Sequence, residues 1–193
     1  ESIATSTYGL FEAIIIDQST NEETRQAVEP FLTDSRFRYK KSATKGLSKA
    51  RNIGVTEAKG AVVAFTDDDC RVASDWIEAI WREYEQHPEV VSVFGQILPG
   101  KLTSGADRYL TMNLAQAKRL QQVLPSAKKE ESGHQLYKED CYDLGFGHGA
   151  NMSFRQSVFS QYGEFDEFLG AGAVLGAWED RDIGYRILCG GGH

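Results

Sequence analysis

The chain has 193 residues, 41% hydrophobic and 25% charged, enough for one globular domain with a full core and ordinary for a soluble protein. A formal net charge of −7 argues against nucleic acid and against an anionic membrane as a main partner. No apolar run approaches the length of a membrane span, no signal peptide is visible, and the widely spaced Cys70, Cys141 and Cys189 form neither a Cys-x-x-Cys pair nor a zinc spacing, so reduced thiols in a cytoplasmic protein, at most peripheral to a membrane, are expected.

The first predicted element is a short buried strand, Glu12 to Ile16, ending in Asp17. Thr20 and Glu23 have the spacing of a capping box for a helix running toward Pro30. Strand, acid, turn and helix in this order suggest βαβ winding, with Asp17 where a ligand sits or simply a turn residue. Arg36 to Lys40 reads as a second short strand. Leu47, Ala50, Ile53 and Ala58 recur at helical spacing, and Gly60 closes that helix. Lys45, Lys49 and Arg51 place positive charge on its first turns, either a solvated face or a receiver for an anionic ligand.

Ala61 to Phe65 is an apolar run that reads as a parallel-sheet strand, and it leads directly into Asp67, Asp68 and Asp69. In extended backbone alternate side chains share a face, so Asp67 and Asp69 can point the same way. Two hard oxygen ligands at the carboxyl end of a strand suit Mg²⁺ or Mn²⁺, where open α/β sheets place their ligand crevice; the bland alternative is an acidic turn in water. Asp67, Asp69 and Glu78 also match three ligand positions of an EF-hand loop, but Val72 stands where that loop needs glycine.

Further on, Ser74 is a candidate cap for a helix carrying Trp76, Ile77, Ile80, Trp81 and Tyr84 as core residues, stopping near His87-Pro88 before a strand from Val90 to Ile97. Residues 99–144 change character: Ala106 to Leu124 has a broad apolar helical face, and Pro125 to Lys138 is a charged excursion, either an acceptor-side lid or a plain surface insertion. Phe146 to Phe154 is glycine-broken and extended, with His148 between two glycines; Arg155 to Tyr162 reads as a short helix. A glycine-rich approach from Leu169 leads to Trp178-Glu-Asp-Arg-Asp and a last helix whose first turn is acidic. Acids there suit the helix dipole, and a helix start also fixes a carboxylate rigidly, as a general base requires.

Taken in order, these segments make the chain resemble a family 2 glycosyltransferase of the GT-A fold. Ile14-Ile-Ile-Asp-Gln-Ser-Thr resembles the second strand and its base-contacting Asp. Gly46-Leu-Ser-Lys-Ala-Arg-Asn-Ile-Gly resembles the segment lining the donor nucleotide. Phe65-Thr-Asp-Asp-Asp-Cys-Arg resembles the Asp-x-Asp segment for metal and diphosphate. Gly149-Ala-Asn-Met-Ser-Phe-Arg, with Phe165-Asp-Glu-Phe-Leu-Gly-Ala-Gly, resembles the stretch leading to the acceptor side. Trp178-Glu-Asp-Arg-Asp-Ile-Gly-Tyr-Arg resembles the segment that supplies the catalytic base.

The resemblance implies an α/β domain with a mostly parallel, helix-flanked sheet over residues 1–193, residues 1–98 serving the donor and 99–193 the acceptor. The family's first apolar strand has no counterpart before Glu1-Ser-Ile, which implies truncation at the N-terminus, and His193 after Gly190-Gly-Gly is either a family-type metal ligand or a chance terminus, the latter favoured. By the same resemblance the reaction is metal-dependent inverting transfer from a nucleoside-diphosphate sugar, UDP-sugar favoured, to a glycan or other hydroxyl. Asp180 would be the base with Glu179 beside it. Asp17, Arg51, Lys45, Asp67 and Asp68 would bind the nucleotide sugar, Asp69 and Asp67 would hold Mn²⁺ or Mg²⁺, and Trp178 and Asn151 would shape the acceptor side. The rival readings are a nucleotidyltransferase, whose glycine-rich basic loop is not visible, and a non-catalytic sugar-nucleotide or glycan-binding domain.

Overall fold

The computed structural model describes residues 1–98 and 148–192, together with a short antiparallel pairing of β5, Lys128–Lys129, with β6, Gln135–Leu136. The other strands are β1 (Ala13–Asp17), β2 (Phe37–Lys41), β3 (Val62–Phe65), β4 (Ser92–Phe94) and β7 (Met152–Arg155). The helices are α1 (Glu23–Val28), α2 (Leu47–Glu57), α3 (Trp76–Gln86), α4 (Ser157–Tyr162) and α5 (Glu179–Cys189). The expected helix over 106–124 and His193 lie outside the described residues.

β1 and β2 pair in parallel, Asp17 opposite Lys41. The intervening α1 makes this a βαβ step, as expected from the strand–acid–helix order. The capping is different: Asn21, not Thr20, accepts from the Glu23 N–H through its side chain, at 3.3 Å. α3 likewise lacks a side-chain cap; Ser74 instead offers its carbonyl to the Thr7 N–H at 2.8 Å. Ala13 to Ile16 are half-buried, and in β1 it is Asp17 that is fully buried.

The second sheet has the order β3-β7-β4, with β7 antiparallel to both neighbours. The stretch that reads as glycine-broken chain thus supplies a central strand. Being paired on both edges, β7 takes large apolar groups: Met152 and Phe154 are fully buried. Phe154 packs against the rings of Phe65, Phe94, Phe159 and Phe165 at centroid distances of 5.7–6.1 Å, edge-on in all four pairs, a preferred arrangement for aromatic rings. Ile183 and Ile187 of α5 and Val55 of α2 join the same cluster. The core therefore sits where α2, α5 and β7 meet, and several candidate site residues lie on or beside these elements.

Candidate active site

α2 is unusual in what it buries. Its buried residues are Ser48, Arg51, Asn52 and Val55, one stripe at helical spacing but mostly polar. The apolar set Leu47, Ala50, Ile53 and Ala58 is only half-buried. The reason is what lies opposite: irregular chain from Phe165 to Glu179, whose backbone groups need partners. Ser48 Oγ donates to Leu169 O at 2.7 Å, and Leu47 N to Ala171 O at 2.9 Å. Asn52 closes both polar groups of Phe165, donating from Nδ2 to its carbonyl and accepting from its N–H, each at 2.9 Å. Gly172, at φ +80°, comes so close that an added Cβ would lie 3.4 Å from the Gly46 Cα. An Asn52→Ala variant is expected to lose about 2 kcal/mol of stability, because two buried backbone groups lose their partner and only incoming water can replace it. Urea unfolding checks this, and an unchanged midpoint would contradict it.

Arg51 is the centre of the arrangement. It is 6% exposed. Its Nη1 donates to Glu179 Oε1 at 2.6 Å, its Nη2 lies 3.8 Å from Asp67 Oδ1, and its guanidinium rests over the Phe165 ring at 5.5 Å. Gly149 completes the enclosure, since a Cβ there would come within 2.6 Å of Nη2. Arg51, expected to hold the nucleotide, therefore directs its hydrogen bond to Glu179 inward. Glu179 is also buried, facing Arg51 and sitting so near Gly170 that a Cβ added there would lie 3.1 Å from its Oε2.

Asp180, the next residue, is fixed by the backbone. Its Oδ2 accepts from Gly149 N and its Oδ1 from Arg181 N, each at 2.8 Å. Each carboxylate oxygen keeps a further lone pair. Trp178, the residue before α5, has φ 82°, a left-handed conformation that is strained for a bulky side chain, and its ring is exposed with Arg181 stacked at 5.5 Å. Arg181 Nη1 is buried without a partner among the described residues, a feature that sequence reasoning missed.

Beyond β3 the chain turns sharply, Cys70 N donating to Asp67 O at 3.2 Å. This brings ligand atoms of Asp67, Asp69 and Cys70 within 4.8 Å of one another; Asp67 is half-buried, while Asp69, like Asp68, is exposed. Burial pushes the Asp67 carboxyl above its ordinary range, and Asp69, Asp68 and Glu179 add to that against the pull of Arg51. Burial and the Asp69 carboxylate push the Cys70 thiol up, so the carboxylates are the better donors at neutral pH. Two clustered carboxylates under mutual repulsion fit a divalent cation with hard-oxygen preference.

Asp17 stands at the end of β1, 4% exposed. Its Oδ2 accepts from Tyr39 Oη at 2.6 Å and Lys41 Nζ at 2.9 Å, and its Oδ1 accepts from Ser19 N at 2.7 Å. Burial alone would raise this carboxyl, but the hydrogen bonds from Tyr39, Ser19 and Lys41 outweigh it and hold it well below the usual carboxylate range. A depressed folded-state pKa means that the stabilisation is present above the unfolded value and lost as pH falls below it. Wild type should therefore lose stability below about pH 4, and Asp17→Asn should lose less over the same interval; parallel melting curves in acid would contradict this. Tyr39 and Lys41, the partners that close the site, were not singled out by pattern. Lys45 Nζ donates to the Gln18 carbonyl, tying the start of α2 to the end of β1. Asn151 is engaged internally: Trp76 Nε1 donates to its Oδ1 at 2.9 Å, and its Nδ2 donates to Gln96 O at 3.0 Å.

Comparison with known proteins identifies the family and the fold. The chain is 27% identical over 177 residues to a glucosyl-dolichyl phosphate glucuronosyltransferase of Haloferax volcanii, covering 86% of this chain and 49% of that protein. It is 31% identical over 88 residues to the glycosyltransferase EpsJ of Bacillus subtilis, covering 45% of this chain and 26% of that protein. Two solved structures share the fold: a Pyrobaculum calidifontis mannosyltransferase, PcManGT, in complex with GDP-Man and Mn²⁺, with TM-score 0.59, 20% identity and 94% of this chain and 46% of that one covered, and S. aureus TarS 1–349, with TM-score 0.61, 15% identity and coverages of 97% and 49%. The chain spans about half of these relatives or less. The fold is GT-A: the parallel pairing is seen in β1–β2, and β7 enters antiparallel between β3 and β4. No helix among the described residues is long and apolar enough to cross a membrane. The family model described as Glycosyl transferase family 2 matches residues 1–163, and the chain belongs to that family.

Proposed function

We propose that this chain transfers a sugar from a nucleoside-diphosphate sugar to an acceptor hydroxyl with inversion, Asp180 acting as general base. The observation that carries the reading is the placement of Asp180: a carboxylate at a helix start, held by Gly149 N–H at 2.8 Å, with lone pairs left for an incoming hydroxyl. Gly149 also abuts Arg51, whose other neighbours are Glu179 and Asp67, so the base and the acidic turn belong to one packed unit.

Asp67 and Asp69 would hold Mn²⁺ or Mg²⁺, in keeping with a fold neighbour whose structure contains GDP-Man and Mn²⁺. Such a cation, when bound, supplies positive charge against the departing diphosphate. The chain's own residues do the rest. Asp180 takes the acceptor proton as the hydroxyl attacks. Glu179 and Arg51 hold the start of α5 against α2. Asp17, oriented by Ser19, Tyr39 and Lys41, faces the base of the donor; Lys45, tied to the Gln18 carbonyl at the end of β1, and Asp68, in the turn after β3, complete the donor side. Residues 1–98 thereby supply the donor side, and Trp178, Arg181 and the chain after residue 98 the acceptor side. A UDP-sugar is our first choice of donor and a GDP-sugar the second.

Thermal shift with UDP-, GDP- and dTDP-sugars plus Mn²⁺ tests donor binding, and product analysis tests the chemistry. Release of nucleoside diphosphate supports the transferase; release of pyrophosphate would point to nucleotidyl transfer, and no shift with any donor would count against the assignment.

A further inference from the structure

We infer that Glu179 sets the affinity of the Asp67–Asp69 turn for a divalent cation by holding the Arg51 guanidinium off Asp67. The inference rests on the metal reading of that turn, and it concerns residues none of which but Asp67 would touch the ion. Arg51 is shared between two carboxylates. Nη1 makes a full charge-assisted hydrogen bond to Glu179 Oε1 at 2.6 Å, while Nη2 stops 3.8 Å short of Asp67 Oδ1, too far for a hydrogen bond yet close enough to attract. The guanidinium has little other room, with the Phe165 ring on one side at 5.5 Å and the Gly149 backbone against Nη2. At 6% exposure its charge is poorly screened by water.

The pairing with Glu179 therefore decides how much of Arg51 reaches Asp67. While Glu179 is charged, Arg51 is committed to it, and the lone pairs of Asp67 are open to a cation. Without that charge, the nearest anion to Arg51 among the described residues is Asp67. A small movement then tightens the loose 3.8 Å ion pair into a hydrogen-bonded one, and an arriving cation must displace a built-in competitor. An opposite charge at this range shifts the proton affinity of a carboxylate by roughly 10- to 1,000-fold, and its affinity for other cations moves in the same sense. Glu179 is thus a positioning residue for the cation site, although it sits on α5, 112 positions beyond Asp67 in the sequence.

The test is Mn²⁺ affinity measured on the whole chain by electron paramagnetic resonance of free Mn²⁺, with no sugar donor present. Glu179→Gln keeps the shape and removes the charge, and should weaken Mn²⁺ binding by about tenfold or more. Glu179→Asp keeps the charge and should stay within about threefold of wild type. The double variant Arg51→Met, Glu179→Gln removes the competitor as well and should return to wild-type affinity or better, a recovery that a purely structural role for Glu179 would not produce. Equal Mn²⁺ affinity in wild type and Glu179→Gln would overturn the inference while leaving the metal reading in place. A double variant as weak as Glu179→Gln alone would also overturn it. Absence of Mn²⁺ binding in wild type would overturn the metal reading itself, and the inference with it.

Discussion

Asp180→Asn is expected to slow sugar transfer by roughly 10²–10⁴-fold, the usual contribution of a general base, while donor affinity stays within a few-fold of wild type. Asparagine is nearly isosteric, and its carbonyl oxygen can still accept from Gly149 N, where the aspartate bond measures 2.8 Å, so the approach to β7 stays tied to the start of α5. What is lost is basicity: the amide cannot take the proton that the acceptor hydroxyl releases as it attacks. On the proposed reading donor binding persists, because the residues proposed for the donor side lie at the end of β1, at and before the start of α2 and in the turn after β3, none of which is replaced. Glu179 offers no substitute base, since it is buried against Arg51 rather than open to an acceptor. Turnover with a saturating donor, set beside the donor dissociation constant from calorimetry, separates the two effects. Full turnover in the variant would remove Asp180 from the chemistry.

The parts legible in the sequence are those in which an apolar run ends in an acid. β1 closing on Asp17 and β3 leading into Asp67 both follow from strand hydrophobicity and alternation, and the acidic start of α5 follows from helix-end electrostatics. What escaped the pattern is the inward face of α2. Apolar periodicity pointed to Leu47, Ala50, Ile53 and Ala58, yet the helix packs on the irregular backbone of residues 165–171, and that surface calls for hydrogen-bonding side chains. Ser48, Arg51 and Asn52 supply them, and a hydrophobic pattern is blind to such a face. β7 was obscured in the same way. The stretch from Phe146 to Phe154 reads as glycine-broken and extended, while its central place in the sheet depends on long-range pairing to β3 and β4. Asn151 shows the converse difficulty. An amide at the mouth of a site looks free in sequence, but a partner 75 positions away, Trp76, already occupies it.

Arg51→Ala is expected to cost about 3–5 kcal/mol of folding stability, the range observed when one partner of a buried ion pair is removed. Exposed pairs would not behave so, because water screens them and the median worth of such a pair is about 0–1 kcal/mol. Here both side chains are nearly sealed, at 6% and 9% exposure, and the bond is 2.6 Å long. Alanine would leave Glu179 charged in a site without a counter-ion, remove the cation from the Phe165 face, and empty the space between Gly149 and Asp67. The damage should be larger than that of Asn52→Ala, although both residues lie on the same face of α2, because a stranded charge is harder to accommodate than stranded amide groups. Guanidinium or urea unfolding gives the magnitude. A second comparison isolates the cause: Arg51→Ala combined with Glu179→Leu removes the stranded charge and fills part of the space, so it should regain a substantial part of the loss. If Arg51→Ala alone unfolded within about 1 kcal/mol of wild type, the pair would be worth no more than an exposed one, and α5 would have to be held to α2 by the Asn52–Phe165 and Ser48–Leu169 hydrogen bonds and the aromatic core instead.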